Sequence, residues 1–210
     1  MKELVIVGAG GFARETASAA ADAGWRVLGF ADDDPGLLGV VRSGLPVLGA
    51  IDTVAGKTDA AVVVCVGNPR NFTARRGIVE RLGLPADRYA TVVHPSASIG
   101  SGSTVGPGTV LLAGTVLTAD VTVGAHVAVM PQAVLTHDDR ISDFATVASG
   151  VRLGGSAVLE TGAYVGAGAL VREGVTVGAW ALVGMGSVVL RDVPPGEVWA
   201  GSPARFLRNV

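Results

Sequence analysis

The chain has 210 residues, 49% of them hydrophobic, only 16% charged and 5% aromatic, with 31 glycines and a formal net charge of −2. That length buries a core without staples, and that charge counts against nucleic acid or an anionic membrane surface as the main partner. Cys65 stands alone, which excludes a disulfide framework and a cysteine metal cluster, and the apolar run 60–66 is far too short to span a bilayer.

The opening, Met1 to Glu15, is a strand, then glycines, then charges, unlike a signal peptide, so a cytoplasmic protein is the simplest expectation. Leu4 to Val7 predicts a short buried strand. Gly8-Ala9-Gly10-Gly11-Phe12-Ala13 follows, close to the glycine pattern of dinucleotide sites. Arg14 to Ala23 predicts an alanine-rich helix closed near Gly24. Val27 to Phe30 predicts a second strand, ending in Asp32-Asp33-Asp34 about twenty residues beyond the glycines, the placing of a ribose-binding acid. Pro46 to Gly49 marks another short element. Ala60 to Val66 reads as a continuous apolar strand ending in Gly67-Asn68-Pro69, with Cys65 in the core. Asn71 to Leu82 predicts a helix whose polar face carries Arg75, Arg76, Glu80 and Arg81. Residues 1–92 therefore form an α/β Rossmann-like unit, with ligands expected at the carboxyl ends of its strands. The N–H groups of Gly10 and Gly11 either cradle a phosphate or serve a tight turn only.

From Val93 to Val189 every sixth residue is Val, Ile or Leu. A second lattice, four places behind, runs from Ala97 to Val193 in small or β-branched residues, broken only by Asp139. A period of six is neither helical nor simply alternating. It fits a solenoid in which each hexad is one short strand and one corner, and three hexads close a triangular coil. The run makes roughly five to six coils, and stacking buries the core. Residues 93–210 are thus a parallel β-helix. Asp139 is either a buried carboxylate in need of a partner or the sign of a rebuilt corner facing solvent or His137. Among the histidines, His94 before Pro95 reads as structural or a hinge. His126 lies on an outward corner. His137 stands mid-prism in Leu135-Thr136-His137-Asp138-Asp139. Neutral imidazole suits a general base near pH 7, and a neighbouring carboxylate can orient it.

The hexad lattice resembles the hexapeptide-repeat acyltransferases, whose prism is a left-handed parallel β-helix. The whole chain, with Gly-Ala-Gly-Gly, an Asp-Asp pair and His-Pro-Ser-Ala before the prism, resembles the sugar O- and N-acetyltransferases of the sialic-acid and bacillosamine type. The resemblance implies a homotrimer with active sites between subunits; His126, from its outward corner, is expected to be solvated, with a trimer contact as the alternative. The reaction implied is transfer of an acetyl group from acetyl-CoA to an amine or hydroxyl of a sugar, nucleotide-linked in many relatives. It implies His137 as general base with Asp138 as its partner. Gly10, Gly11 and Phe12 would line the substrate's phosphates or sugar, Asp32 and Asp33 would meet the nucleoside, and Asn68 would close the pocket. On the acetyl-CoA side it implies Thr146, corner N–H groups of Gly155 and Gly162 toward the thioester oxygen, Met185 along the pantetheine arm, and Pro203 and Ala204 near the adenine. Trp199 and Pro203 also suit a cap on the open end of the solenoid.

Three places depart from that family's pattern. Phe12 and Met130 stand where it often has His and Asn, and Thr146 stands where it often has a second His. No metal is implied. The rival readings are a degenerate, non-enzymatic nucleotide-sugar-binding protein and an NAD-dependent oxidoreductase, for which about ninety residues and a prism lack a second nucleotide half.

Overall fold

The computed structural model describes residues 2–55 and 58–210. The first unit opens with β1 (Glu3–Val7), α1 (Gly11–Asp22) and β2 (Arg26–Ala31), then β3 (Val41–Arg42), β4 (Leu45–Gly49), α2 (Ile51–Ala55), β5 (Ala61–Val64) and α3 (Ala74–Leu82). The sheet order is β3-β4-β2-β1-β5, parallel except for the β3–β4 hairpin. Strand order reverses at β1, so the ligand crevice of such a sheet lies beyond the ends of β1 and β5.

The short element expected at Pro46 to Gly49 is β4, and β3 and α2 escaped the sequence reading. The β3–β4 hairpin turns on Ser43-Gly44, both with positive φ, a turn signal present in the sequence. Helix α2 is a short turn between β4 and β5. Helix α3 begins three residues later than the pattern suggested, because Asn71 N–H closes a turn on Asn68 O and Phe72 swings under to pack on aromatic residues of the prism.

From residue 92 on, short parallel strands stack in three faces. The first face carries Val92–Val93, Val110–Leu111, Ala128–Val129, Thr146–Val147, Tyr164–Val165 and Leu182–Val183. The second runs from Ser98–Ile99 to Val188–Val189, and the third from Thr104–Val105 to Thr176–Val177. Each strand pairs with its counterpart one coil on, Val116 with Val134 and Thr122 with Arg140. This is a left-handed parallel β-helix behind a Rossmann-like unit. The aliphatic lattice fills its axis: from Leu111 to Val189 no lattice residue is more than 4% exposed. Ile99, in the first coil, is 43% exposed because no coil lies beneath it.

The far end is closed. Glu197–Ala200 extends the first face, and Arg205–Asn209 folds back antiparallel on it. Trp199 and Ala204 join the prism core there, and Arg191 stacks over the Trp199 ring at 5.1 Å.

The two units share a core. Helix α1 buries Ala13, Thr16, Ala17, Ala19 and Ala20. Its alanines pack with Val92, Val110 and Leu112 of the first face as well as with Leu4, Ile6 and Phe30 of the sheet. Small side chains are what allow one helix to be covered on both sides. His94, at the joint, accepts from Ser96 N–H at 3.0 Å through Nδ1 and faces Asp22, at the end of α1, through Nε2 at 3.4 Å.

Leu159→Ala, on the prism axis, should lower stability by about 2–5 kcal/mol in denaturant unfolding, whereas Leu170→Ala, half-exposed outside the second face, should cost well under that. Equal costs would mean that the lattice is not the core.

Candidate active site

His137 occupies the corner between the second and third faces. Asp138 follows in the left-handed region, φ 64°, a conformation Asp tolerates better than most residues. That corner brings Asp138 Oδ2 to 2.8 Å from His137 Nδ1. Nε2 is left clear of the carboxylate, and both side chains are exposed. Directly above the ring, one coil on, is Gly155. A Cβ there would lie 2.4 Å from His137 Nε2 and Cε1, so only glycine leaves room for this ring position.

The backbone before His137 is redirected by Asp139, and the first of the two sequence alternatives holds. The corner keeps its register, and Asp139 points inward, fully buried. Its Oδ2 accepts from Thr136 N–H at 2.7 Å and its Oδ1 from Ala157 N–H at 2.9 Å. In neighbouring coils the equivalent N–H donates along the ladder, Thr118 to Leu135 O and Gly154 to Val171 O. Here Thr136 N–H turns inward, and its hydroxyl donates to Leu153 O instead, at 2.9 Å. Ladder pairing of these coils is reduced to Val134 with Arg152. Burial pushes the Asp139 carboxyl up to about 7, against its two backbone donors and His137, which lower it, and with Asp138, which raises it.

A second concavity, about 230 Å³, lies between the two units at the switch point of the sheet. Phe12, Gly67 and Arg75 line one side, and Met130, Thr146, Ser149 and Tyr164 the other. Arg75 is not on a polar face, as the helix pattern suggested, but 2% exposed. It stands three residues after Phe72 and four before Val79, on the apolar stripe of α3, and that spacing was the available signal. Its Nη2 donates to Phe144 O at 2.8 Å, Ala145 O at 3.1 Å and Thr146 Oγ1 at 2.8 Å. Burial lowers its pKa to about 10, so it stays charged at neutral pH. Phe72 meets Tyr164 and Trp180 at 5.8 and 6.4 Å, and Arg76 lies over the Trp180 ring.

His126 is likewise not solvated. It is 7% exposed, edge-on to Tyr89 at 4.6 Å and stacked on Phe144 at 5.2 Å. Burial first, then the nearby Arg75 charge, lowers its pKa to about 4, against Asp143, so it is a neutral core ring. Cys65 is buried beside Thr16, and burial pushes its thiol up to about 12.

The glycine loop divides in two. Gly8, φ 100°, is the packing glycine, since a Cβ would meet Val66 Cγ2 at 2.8 Å and Cys65 O at 2.9 Å. Gly10 and Gly11 have open space where a Cβ would be, so packing does not account for them. Gly10 is the N-cap of α1, with no side-chain cap over the first N–H groups. Asp32 Oδ2 accepts from Ala9 N–H at 2.8 Å and so ties β2 to this loop. Asp33 is already engaged by Ile51 N–H at 3.0 Å and Arg81 at 2.7 Å. Burial raises its pKa, but Arg81 and the Ile51 N–H outweigh that and hold it low. Asn68 Oδ1 closes a turn on Arg70 N–H at the cleft rim.

The residues expected on the acetyl-CoA side do not form one cluster within the chain. Gly155 stands with His137, and Thr146 stands in the cleft. The Gly162 N–H is spent on Asp143 O at 2.9 Å, and the Trp180 ring covers that corner, so Gly162 has no N–H to offer a thioester oxygen. Met185 is 79% exposed on a late corner, and Pro203 and Ala204 close the far end, with Ala204 buried there.

Residues 3–82 match the PglD N-terminal domain family. A comparison with curated protein sequences returns no match. Solved structures match over the whole chain. The acetyltransferase domain of PglB from Neisseria gonorrhoeae, in complex with acetyl coenzyme A, is 28% identical with a TM-score of 0.87, covering 98% of this chain and 99% of that one. A variant of perosamine N-acetyltransferase from Caulobacter crescentus, in complex with CoA and GDP-perosamine, is 27% identical with a TM-score of 0.87, covering 100% and 98%. WeeI from Acinetobacter baumannii is 28% identical with a TM-score of 0.84, covering 99% and 100%. The Rossmann-like unit and the hexad prism are thus shared, over the whole chain, with solved acetyltransferases. Within that class, the likeness is to sugar acetyltransferases of the bacillosamine and perosamine type.

Two variants test this corner. Gly155→Ala should displace the His137 ring and cut turnover as deeply as His137→Ala, about 100-fold or more, with the melting temperature nearly unchanged. A Gly155→Ala enzyme of full activity would contradict the packing described. For Asp139, the folded pKa lies above the unfolded one, so its stabilisation is complete below about pH 4 and is lost as pH rises through about 7. Asp139→Asn sets an amide N–H₂ against a backbone donor and should cost about 1–3 kcal/mol at pH 5. By denaturant titration that cost should shrink at pH 8, and a cost that grows with pH would refute the assignment.

Proposed function

We propose that this protein moves the acetyl group of acetyl-CoA to an amine, or a hydroxyl, of a nucleotide-linked sugar, with His137 as general base. The observation that carries the reading is the His137–Asp138 pair. Asp138 on Nδ1 fixes the ring and stabilises the imidazolium, while Nε2 is free to take a proton. The acceptor nitrogen or oxygen attacks the thioester carbonyl carbon directly and gives its proton to Nε2. The tetrahedral intermediate then collapses with C–S cleavage, and the proton passes to the departing CoA sulfur. Cys65 is buried away in the first unit, so no covalent acyl-enzyme is invoked.

In this reading residues 1–92 hold the nucleotide sugar. Gly10 and Gly11 offer backbone N–H groups to phosphate at the start of α1, Asp32 and Asn68 flank the nucleoside, and Phe12 leads into the cleft. Residues 93–210 hold acetyl-CoA, with Gly155 beside the base and Met185, Pro203 and Ala204 along the later coils. The fold also supports a trimer. The first unit packs on the first face, whereas His137 stands at the opposite corner of the same prism. Met130 and Thr146, seven before and nine after His137, line the cleft rather than flank the ring. A second copy is needed to bring a His137 to each cleft, and a homotrimer with sites between subunits does so.

CoA release should be followed with a panel of nucleotide-linked amino sugars and free sialic acids, beside His137→Ala. Turnover with one acceptor that collapses in the variant is the expected result. Mixed oligomers of His137→Ala and Met130→Trp chains should regain part of the activity that neither has alone. Turnover that survives His137→Ala would discard this base, and the absence of any recovery in the mixtures would discard the shared site.

A further inference from the structure

Among the described residues Asp139 is the only buried Asp or Glu, and the proposed proton transfer gives it no task. Val121 stands in the same place one coil below and Ala157 one coil above, both fully buried. An apolar side chain would fill the place, and for the fold alone a buried carboxylate is the costlier choice.

What Asp139 holds is the seat of His137. Its two backbone donors come from different coils. Thr136 N–H, at 2.7 Å, belongs to the residue that leads into the His137 corner. Ala157 N–H, at 2.9 Å, stands two residues beyond Gly155, the glycine that makes room for the ring. One carboxylate therefore ties the backbone entering the ring's corner to the backbone above it. Without this acceptor, Thr136 N–H would rejoin the ladder on Leu153 O, as Thr118 N–H does on Leu135 O, and the peptide entering His137 would turn with it.

Charge adds to geometry. The charged groups acting on Asp139 are His137, which favours its ionised form, and Asp138, which opposes it. Val121 and Ala157 bring no charge from the neighbouring coils, and Arg140 is turned out to solvent. The attraction is reciprocal: a positive ring favours the carboxylate, and the carboxylate favours a positive ring. Being buried, Asp139 is screened less by water and salt than the exposed Asp138.

We infer that Asp139 is the positioning residue of the base: its buried carboxylate fixes the peptide entering His137 against the coil that carries Gly155, and its charge supports the imidazolium as it forms. This rests on the reading of His137 as general base. Asp139 takes no part in the transfer itself. The acceptor's proton goes to His137 Nε2 and on to the CoA sulfur.

The test uses Asp139→Val in the full-length protein, beside wild type, Asp139→Asn and His137→Ala. Valine has nearly the shape of aspartate and is the residue of this column at 121, 175 and 193. At pH 8 the variant should keep its melting temperature, because an apolar side chain replaces a buried charge. Its kcat with an acceptor that turns over should fall about 100-fold, with little change in the KM for acetyl-CoA. The acid limb of its kcat profile should move to lower pH, since the negative charge behind the ring is gone. The crystal structure of the variant needs no acceptor: Thr136 N–H should be back on Leu153 O and the His137 ring displaced from its place beside Gly155. A variant with wild-type kcat, or one whose ring stays in place and whose acid limb does not move, overturns the assignment. If Asp139→Val fails to fold, Asp139→Asn at pH 8 decides by the same readouts. If His137→Ala is inactive while Asp139→Val is unimpaired, the base stands and this role alone falls. If His137→Ala keeps full turnover, the base falls and takes this role with it.

Discussion

The structure depends on one constraint: the backbone of each coil is satisfied only by the coil stacked on it. A two-residue strand has no stability of its own. In the prism its N–H and C=O groups meet partners eighteen residues away, as Val116 meets Val134 and Val134 meets Arg152. The six-residue period keeps an aliphatic side chain on the axis at every step, so core and ladder come from the same repeat. The constraint also explains why the last coil ends in a strand pair and a buried Trp199.

Because the ladder is so regular, one departure from it has a local and legible effect. Asp139 puts a carboxylate in the core where the other hexads have small or β-branched residues. Two backbone donors satisfy it, and one of these, Thr136 N–H, is taken out of the ladder to do so. The Thr136 hydroxyl fills the gap. The result is a corner that keeps the turn of those stacked around it but whose entering N–H, at Thr136, has left the ladder, and His137 sits on that corner. Buried carboxylate, redirected peptide and exposed imidazole are steps of one arrangement.

The docking of the first unit is the second decision. An alanine-rich helix covered on both sides and the Arg75 side chain reaching Phe144, Ala145 and Thr146 hold the unit against one face of the prism. That choice of face creates the cleft and also separates it from the His137 of the same chain. Arg75 serves both ends: it fastens the two units together and leaves its charge facing the cleft.

The sequence by itself determined the repeat, its register, the strand–glycine–helix opening and the candidate base, because each of these is a local pattern. A hexad fixes where its own side chains point, and Asp138 after His137 fixes a carboxylate beside a ring. Only the tertiary structure decided what lay over those side chains. Arg75 read as solvated on its helix until the prism covered it. His126 read as an outward corner until Tyr89 and Phe144 closed on it. Gly162 read as a free N–H until Asp143 O took it. The reason is the same each time: periodicity reports the direction of a side chain within its own element, whereas burial, hydrogen-bond partners and charge depend on a second element whose arrival no local pattern records.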